Sequence, residues 1–248
     1  MRTKATLYCF FLCLLLPIGA SADPVAELQI ALQNDARATA DKARDAGRKP
    51  AEVLAFLGVS KGMTGIDIWA AGGYYTEVLS LAVGSTGKVY AQNPKWILEF
   101  RDGANGKALS NRLANDRLAN VSRINNAFPD LGLEAGSIDF ALTALNFHDI
   151  ASSEEAATAF AKSVLALLKP GGVLGVIDHE GSADQDNKSL HRGQSRQAFT
   201  ALEAAGFEIT ATSEMLRNSA DTLDKSVFTP GLRGQTSRFI IKAVKPAD

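Results

Sequence analysis

The stretch Gly65-Ile-Asp-Ile-Trp-Ala-Ala-Gly-Gly-Tyr-Tyr-Thr-Glu-Val-Leu79 decides the fold. Its first residues are typical of a buried strand, its last residues are typical of a helix, and a turn of small residues joins them. In an open α/β sheet, such a turn with an acid at the strand end, here Asp67, is where a nucleotide-like cofactor binds. The stretch therefore predicts a cofactor site at the carboxyl end of its strand.

After this stretch, strand and helix patterns alternate along the chain. The predicted parallel strands cover residues 65–70, 88–93, 121–126, 138–145 and 173–179. The predicted helices between and after them cover residues 76–83, 95–115, 154–168 and 194–205. Such alternation predicts a parallel sheet with helices on both faces.

The end of the chain follows a different pattern. Residues 207–214 and 238–245 are two predicted strands without a crossover helix between them, so they pair most easily in antiparallel fashion. Their connection, residues 215–237, is too long for a turn and indicates a functional loop. The predicted fold class is therefore α/β, a single doubly wound, mostly parallel seven-stranded sheet with one antiparallel strand.

Residues 23–58 form a predicted N-terminal helical extension ahead of a single domain at residues 59–248. Within the extension, residues 24–46 predict one helix with an apolar flank, which we expect to act as a lid or wrap. Pro50 then starts a short helix over residues 51–57, and Gly58 ends it.

Residues 1–22 have the three parts of a secretory signal peptide. Met1–Lys4 is positively charged, Leu7–Ile18 is apolar, and Ala20–Ala22 is a small-residue cleavage site. The apolar part is shorter than the roughly 20 residues that a membrane-spanning helix needs. We therefore expect cleavage before Asp23 and an exported protein, periplasmic or secreted, with no stable membrane anchor after cleavage.

Cysteine usage and charge restrict the function further. Cys9 and Cys13 both lie in the predicted signal peptide, so the mature chain has no cysteine for a disulfide, a thiolate metal site or a nucleophile. Removal of Arg2 and Lys4 takes two positive charges away and changes the formal net charge from −1 to −3. Nucleic-acid binding would need a basic patch and a high pI, so we expect a small-molecule substrate and no nucleic-acid partner.

Several motifs resemble those of the class I S-adenosylmethionine-dependent methyltransferases, over roughly residues 36–246. The turn at residues 67–73 is similar to the family's first motif, residues 137–142 to its fourth strand, and residues 168–174 to the start of its fifth strand. Shorter stretches at residues 48–50, 56–59, 72–77, 89–94 and 191–192 resemble a group of exported, predicted methyltransferases. The resemblance implies a Rossmann-like methyltransferase fold.

Two departures from the family pattern concern the cofactor. The three spaced glycines of the family fall at Trp69, Ala71 and Gly73, so only the last is present. We expect Ala71 to keep a negative φ and Trp69 to exclude a strained, glycine-only turn. The acid that ends the second strand in the family is also absent, and Gln92 or Asn93 stands in its place.

The resemblance implies S-adenosylmethionine as the cofactor. The candidate cofactor-binding residues are Asp67 for its ammonium group, Ala71, Gly72 and Gly73 for its carboxylate, Tyr74 for the methyl donor, Gln92 and Asn93 for the ribose, and Asn126, beside Phe128, for the adenine. Each has a structural alternative, as a satisfied buried acid, a helix cap or core packing. A nicotinamide cofactor is disfavoured, because the turn lacks the G-x-G-x-x-G pattern and its following acid.

All three histidines are candidate catalytic residues. His148 follows the fourth strand, His179 ends the fifth, and His191 lies 12 residues further on, so the topology predicts that they converge at one end of the sheet. One of them would act as a general base on the methyl acceptor. A metal site of His148, Asp178 and either His179 or His191 competes with this role, as does structural hydrogen bonding. The spacing matches no recognised metal signature, and we predict no metal.

The sequence thus favours S-adenosylmethionine-dependent methyl transfer to an unidentified small molecule outside the cytosol. The alternative is a non-catalytic small-ligand-binding module on a degenerate methyltransferase fold. The missing glycines and the missing acid favour this alternative.

Overall fold

A computed structural model describes residues 23–247, and the predicted signal peptide lies outside the described residues. The strands are β1 (Thr64–Ile68), β2 (Lys88–Gln92), β3 (Val121–Ile124), β4 (Ile138–Ala144), β5 (Leu168–His179), β6 (Glu208–Ser213) and β7 (Arg238–Val244). The helices are α1 (Pro24–Ala31), α2 (Thr39–Arg48), α3 (Pro50–Leu57), α4 (Tyr74–Val83), α5 (Lys95–Leu113), α6 (Phe147–Ile150), α7 (Glu154–Leu167), α8 (Asn187–Leu190) and α9 (Ser195–Ala205).

The strands form one sheet in the order β3-β2-β1-β4-β5-β7-β6. The pairs from β3 to β5 are parallel, and β7 runs antiparallel to both of its neighbours, β5 and β6. This confirms the predicted seven-stranded sheet with one antiparallel strand. Because the order reverses between β1 and β4, the carboxyl ends of these strands flank a crevice where ligands bind in open α/β sheets.

Each face of the sheet has its own apolar core. One core lies under α7 and α9 and contains Phe160, Val164 and Leu202, whereas the other lies under α1, α3 and α4 and contains Leu54 and Val78. The central strands are buried on both faces, which explains their nearly continuous apolar sequences. Among residues 23–247, no helix is long and apolar enough to cross a membrane.

The predicted single helix over residues 24–46 is wrong, because α1 and α2 are separate helices with a break at residues 32–38. The side chain of Asn34 accepts a hydrogen bond from the backbone N–H of Ala36, and this local turn competes with the helix. The guanidinium of Arg37 also donates to the carbonyl of Leu32 within the break. The predicted helix over residues 95–115 is likewise interrupted, at residues 100–103, by non-helical backbone.

The long connection between β6 and β7 is anchored by a buried ion pair. Both terminal nitrogens of Arg192 lie 2.9 Å from the carboxylate oxygens of Asp221. The same guanidinium donates to the carbonyls of Glu180 and Lys225, and both side chains of the pair are almost completely inaccessible. The pair thus joins the segment after β5 to the connection at residues 214–237.

We expect Arg192→Ala to lower the free energy of unfolding by about 3–5 kcal/mol, because the carboxylate of Asp221 would stay buried without its partner. Urea unfolding followed by circular dichroism measures the change. Lys61→Ala is the control, since Lys61 pairs with Glu27 at the surface and its removal should cost less than about 1 kcal/mol. Equal losses in the two variants would contradict the anchoring role of Arg192.

Candidate functional site

The turn between β1 and α4 keeps a left-handed backbone without the expected glycines. The φ angles are +52° at Trp69, +50° at Ala71 and +83° at Gly73. Our expectations of a negative φ at Ala71 and of no such turn at Trp69 are therefore wrong. L-residues enter this region at a cost of roughly 1–2 kcal/mol each, so other contacts must hold the turn in place.

Two buried side-chain amides from the end of β2 hold this turn. Gln92 accepts a hydrogen bond from the backbone N–H of Trp69 and donates to the carbonyl of Asn126. Asn93 accepts from the N–H of Ala71 at 2.7 Å and donates to the carbonyl of the same residue at 3.2 Å. Both amides are fully buried. They occupy the position of the family's ribose-binding acid, and their predicted contact with a ribose stays a prediction.

The turn borders a cavity of about 370 Å³ at the carboxyl ends of β1 and β4. The walls come from the turn, from the start of α4, from Asn146 after β4, and from α2 and α5. Its lining includes the candidate residues Asp67, Ala71, Gly72 and Tyr74. A volume above roughly 300 Å³ is in the range of small-molecule sites.

Asp67 lies at the end of β1 and contributes a carboxylate to this cavity. Its side chain is buried and accepts a hydrogen bond of 2.6 Å from the hydroxyl of Thr76. Burial raises the pKa of Asp67 to about 7, although the hydrogen bond from Thr76 and the charge of Arg48 act in the opposite direction. A cationic group placed beside this carboxylate would favour its ionised form.

Arginines from α2 and α5 also line the cavity. Arg112 pairs with Glu77 and Asp41, and Arg44 pairs with Asp41 as well. Arg48 instead packs over the ring of Tyr74, 4.3 Å from its centroid, and has no ion pair within residues 23–247. Burial lowers the pKa of Arg48, which indicates that its charge lacks full compensation.

Sequence reasoning did not identify Arg48 as a site residue. The signal was present only indirectly, because Arg44 and Arg48 are four residues apart and therefore share one face of a helix. Only the fold shows that α2 places this face over the turn.

The two candidates for contact with an adenine, Asn126 and Phe128, differ in how far they are buried. Asn126 is exposed and donates to the carbonyl of Asp130. Phe128 packs edge-to-face on Phe160, with 5.2 Å between ring centroids, in the core under α7. Neither residue lines the cavity beside Asp67. Their contact with an adenine stays a prediction.

The three histidines converge at the carboxyl edge of the sheet, as the topology predicts. The ring centroid of His148 lies 6.2 Å from that of His179 and 5.7 Å from that of His191. His148 is in α6, which begins directly after the cavity residue Asn146. The cluster therefore lies beside the cavity, and its catalytic role stays a prediction.

Different surroundings shift the pKa values of two of these histidines in opposite directions. The Nδ1 atom of His148 lies 2.9 and 3.0 Å from the two carboxylate oxygens of the fully buried Asp178. Burial lowers the pKa of His148, but the hydrogen bond and charge of Asp178 outweigh it and raise this pKa above its ordinary value. Burial and the positive charge of Arg238 hold the pKa of His179 well below its ordinary value.

No protein-family model and no curated protein sequence matches this chain. Solved structures do match it. A SAM-dependent methyltransferase from Aquifex aeolicus is 20% identical with a TM-score of 0.61, and the match covers 90% of this chain and 99% of that one.

Fibrillarin from Aeropyrum pernix, with natively bound S-adenosyl-L-methionine, is 16% identical with a TM-score of 0.51, over 78% of this chain and 73% of that one. A possible exported protein from Bordetella parapertussis is 13% identical with a TM-score of 0.56, over 81% of this chain and 68% of that one. These similarities show that the chain has the Rossmann-like fold of class I S-adenosylmethionine-dependent methyltransferases.

The left-handed turn leads to a stability prediction for Ala71→Gly. Glycine removes about 1–2 kcal/mol of strain, and the greater freedom of the unfolded chain offsets about 0.4–1 kcal/mol of this gain. We therefore expect a free energy of unfolding that is unchanged or slightly raised. Ala159→Gly, in the exposed middle of α7, is the matched control and should lose about 1 kcal/mol. Similar losses in both variants, measured by urea unfolding, would refute the strained turn.

Proposed function

We propose that this protein transfers a methyl group from S-adenosylmethionine to a small molecule. The observation that carries the proposal is the left-handed turn at residues 69–73, which opens onto a cavity containing the carboxylate of Asp67. The chain keeps this backbone although two of the usual glycines are absent. S-adenosylmethionine supplies an activated methyl group, so the protein mainly needs to bind and orient the donor and the acceptor.

The residues of the cavity fit the amino-acid end of the cofactor. A zwitterion needs one anionic and one cationic partner, and Asp67 and Arg48 provide these charges in the lining of one cavity. The faces of Tyr74 and Tyr75 lie at the start of α4 and are suited to a nearby cation. Asp67 would hold the ammonium group and Arg48 the carboxylate, together with N–H groups of the turn.

The adenosine end of the site supports a second candidate function. Gln92 and Asn93 are fully buried, and their amides already bond the turn and the loop after β3. They stand at the end of β2, where the family has a carboxylate that binds the ribose. A weaker grip on the ribose favours the alternative of a non-catalytic module that binds a small ligand on the same fold.

Export from the cytosol is part of the proposal. It is supported by the predicted signal peptide at residues 1–22, by the absence of cysteine after it, and by the fold shared with the possible exported protein from Bordetella parapertussis. The acceptor would then be a small molecule outside the cytosol, and the protein would act there without nucleic acid.

Calorimetry of the purified protein with S-adenosylmethionine and S-adenosylhomocysteine tests the cofactor. Absence of binding by both ligands at millimolar concentrations would refute the proposal. Tritiated methyl groups from S-adenosylmethionine then distinguish the two functions. Transfer to an acceptor in an extract supports the enzyme, whereas tight binding without transfer supports the binding module.

We expect Asp67→Asn to weaken S-adenosylmethionine binding at pH 8 by about 1.5–3 kcal/mol, the scale of a hydrogen bond to a charged group. The apo protein should become more stable at this pH. A pKa of about 7 in the folded state means that the native protein binds more protons than the unfolded chain between its ordinary value and 7. Its contribution to stability therefore falls as the pH rises through this window, and asparagine removes that loss.

Calorimetry and urea unfolding at pH 6 and pH 8 measure both effects in parallel. Asparagine still accepts the hydrogen bond from Thr76, so the variant tests the charge of Asp67 rather than its shape. Lower apo stability together with unchanged affinity would remove Asp67 from the site.

We expect Arg48→Met to weaken S-adenosylmethionine binding by a similar 1.5–3 kcal/mol, roughly 10- to 100-fold, because a charged hydrogen bond to the carboxylate is lost. Methionine preserves the apolar packing of the side chain on Tyr74. A cofactor analogue without the carboxylate should bind both proteins equally, and Arg44→Met is the control from the same helix face. If Arg48→Met weakened binding of the analogue as much as binding of S-adenosylmethionine, this would show that Arg48 acts only by packing.

A further inference from the structure

We infer that His148, Asp149 and His191 form a binding site for one divalent transition-metal ion. The ligating atoms of these three side chains all lie within 4.8 Å of one another. The inference concerns the residues after β4 and β5 and does not rest on the proposed methyl transfer. It also replaces the sequence prediction of no metal and the alternative ligand set that included Asp178 and His179.

The spacing of the three side chains fits ligation better than hydrogen bonding. The Nε2 atom of His148 lies 3.5 Å from a carboxylate oxygen of Asp149, and the Nδ1 atom of His191 lies 3.9 Å from the other oxygen. Both distances are too long for hydrogen bonds. Ligand atoms around a tetrahedral ion with bonds of about 2.0–2.2 Å are roughly 3.3 Å apart, so small rotations would bring these atoms into place.

Asp178 orients His148 for this role. Its carboxylate accepts hydrogen bonds from the backbone N–H groups of His148 and His179 and lies at hydrogen-bond distance from Nδ1 of His148 on both oxygens. The two distances fit an N–H donor at Nδ1, and a neutral imidazole with its proton there presents the Nε2 lone pair to a metal ion. Metal-binding histidines commonly have such a carboxylate behind them.

His191 is held in position by its neighbours. It caps the carboxyl end of α8 with a φ of +54°, and the buried Arg192 beside it is fixed by Asp221. The backbone N–H of Gly193 donates to the carbonyl of His179, so the segment is also joined to the end of β5. The ring of Phe228 packs against that of His191, with 4.9 Å between centroids.

The donor set selects the class of ion. Two imidazoles and one carboxylate suit Zn²⁺, Fe²⁺ or Co²⁺, whereas Mg²⁺ prefers oxygen ligands alone. Asp149 and His191 are half-exposed, so an ion would be reached from solvent. Three protein ligands leave at least one coordination position for a dissolved molecule.

The test is calorimetric titration of the chelator-treated protein, purified without a polyhistidine tag, with ZnCl₂. We expect one Zn²⁺ per chain with a micromolar or lower Kd, and d–d absorption bands typical of a low-coordinate site when Co²⁺ is used instead. Asp149→Ala and His191→Ala change half-exposed side chains and should each weaken binding at least 100-fold. Asp178→Asn should weaken it 10- to 100-fold, as expected of a carboxylate behind a ligand.

His179→Asn is the matched control. The Nδ1 atom of His179 forms a hydrogen bond with the hydroxyl of Thr236, and asparagine can replace this hydrogen bond. Because His179 is not part of the three-residue group, the Kd for Zn²⁺ should not change. Absence of stoichiometric binding, or equal affinity in the wild type, Asp149→Ala and His191→Ala, would overturn the inference. Titration with S-adenosylmethionine in the absence of metal tests the proposed function separately, so either can fail alone.

Discussion

The hydrogen bonds from Gln92 and Asn93 to the turn after β1 are the constraint on which the site depends. A parallel sheet brings the end of β2 next to the end of β1, and the two amides bond backbone groups of the turn at Trp69 and Ala71. Their hydrogen bonds offset the strain of left-handed backbone at Trp69 and Ala71. The turn leads directly into α4 and borders the cavity together with Asp67, so these amides hold one wall of the cavity in place.

This arrangement explains why the sequence predicts the fold well and the turn poorly. The alternation of apolar strands and helices is repeated from residue 65 to residue 205, and its prediction needs no single contact. The backbone of Trp69 bonds two distant amides, those of Gln92, 23 residues away, and Asn146, 77 residues away, and no local rule for tryptophan reveals this. Similarly, the break between α1 and α2 arises from one asparagine turn inside a segment whose composition favours a helix.

The candidate site likewise has a part that the sequence pattern predicts and a part that it does not. The carboxyl ends of parallel strands meet at one edge, and this rule alone places Asp67, His148 and His179 on the same side of the sheet. Arg48 is brought to the cavity by α2, whose position depends on the packing of α1 and α3 against α4 rather than on a local pattern. Side chains supplied by an extension outside the sheet are therefore the part of a site that strand patterns cannot predict.

The charges around the cavity are unevenly satisfied, and this inequality indicates what the site prefers to bind. Asp41 and Glu77 share the guanidinium of Arg112, and Arg44 and Arg117 complete this network, so each of its charges has a close partner of opposite sign. Within residues 23–247, Asp67 and Arg48 are the charged residues of the cavity lining that form no salt bridge, although the charge of Arg48 lowers the pKa of Asp67. A simple anion would be attracted by Arg48 but repelled by an ionised Asp67. A simple cation would be attracted by Asp67 but repelled by Arg48. A ligand with both charges a few bonds apart relieves both groups at once, which is the electrostatic reason that an amino-acid moiety suits this cavity better than either ion alone.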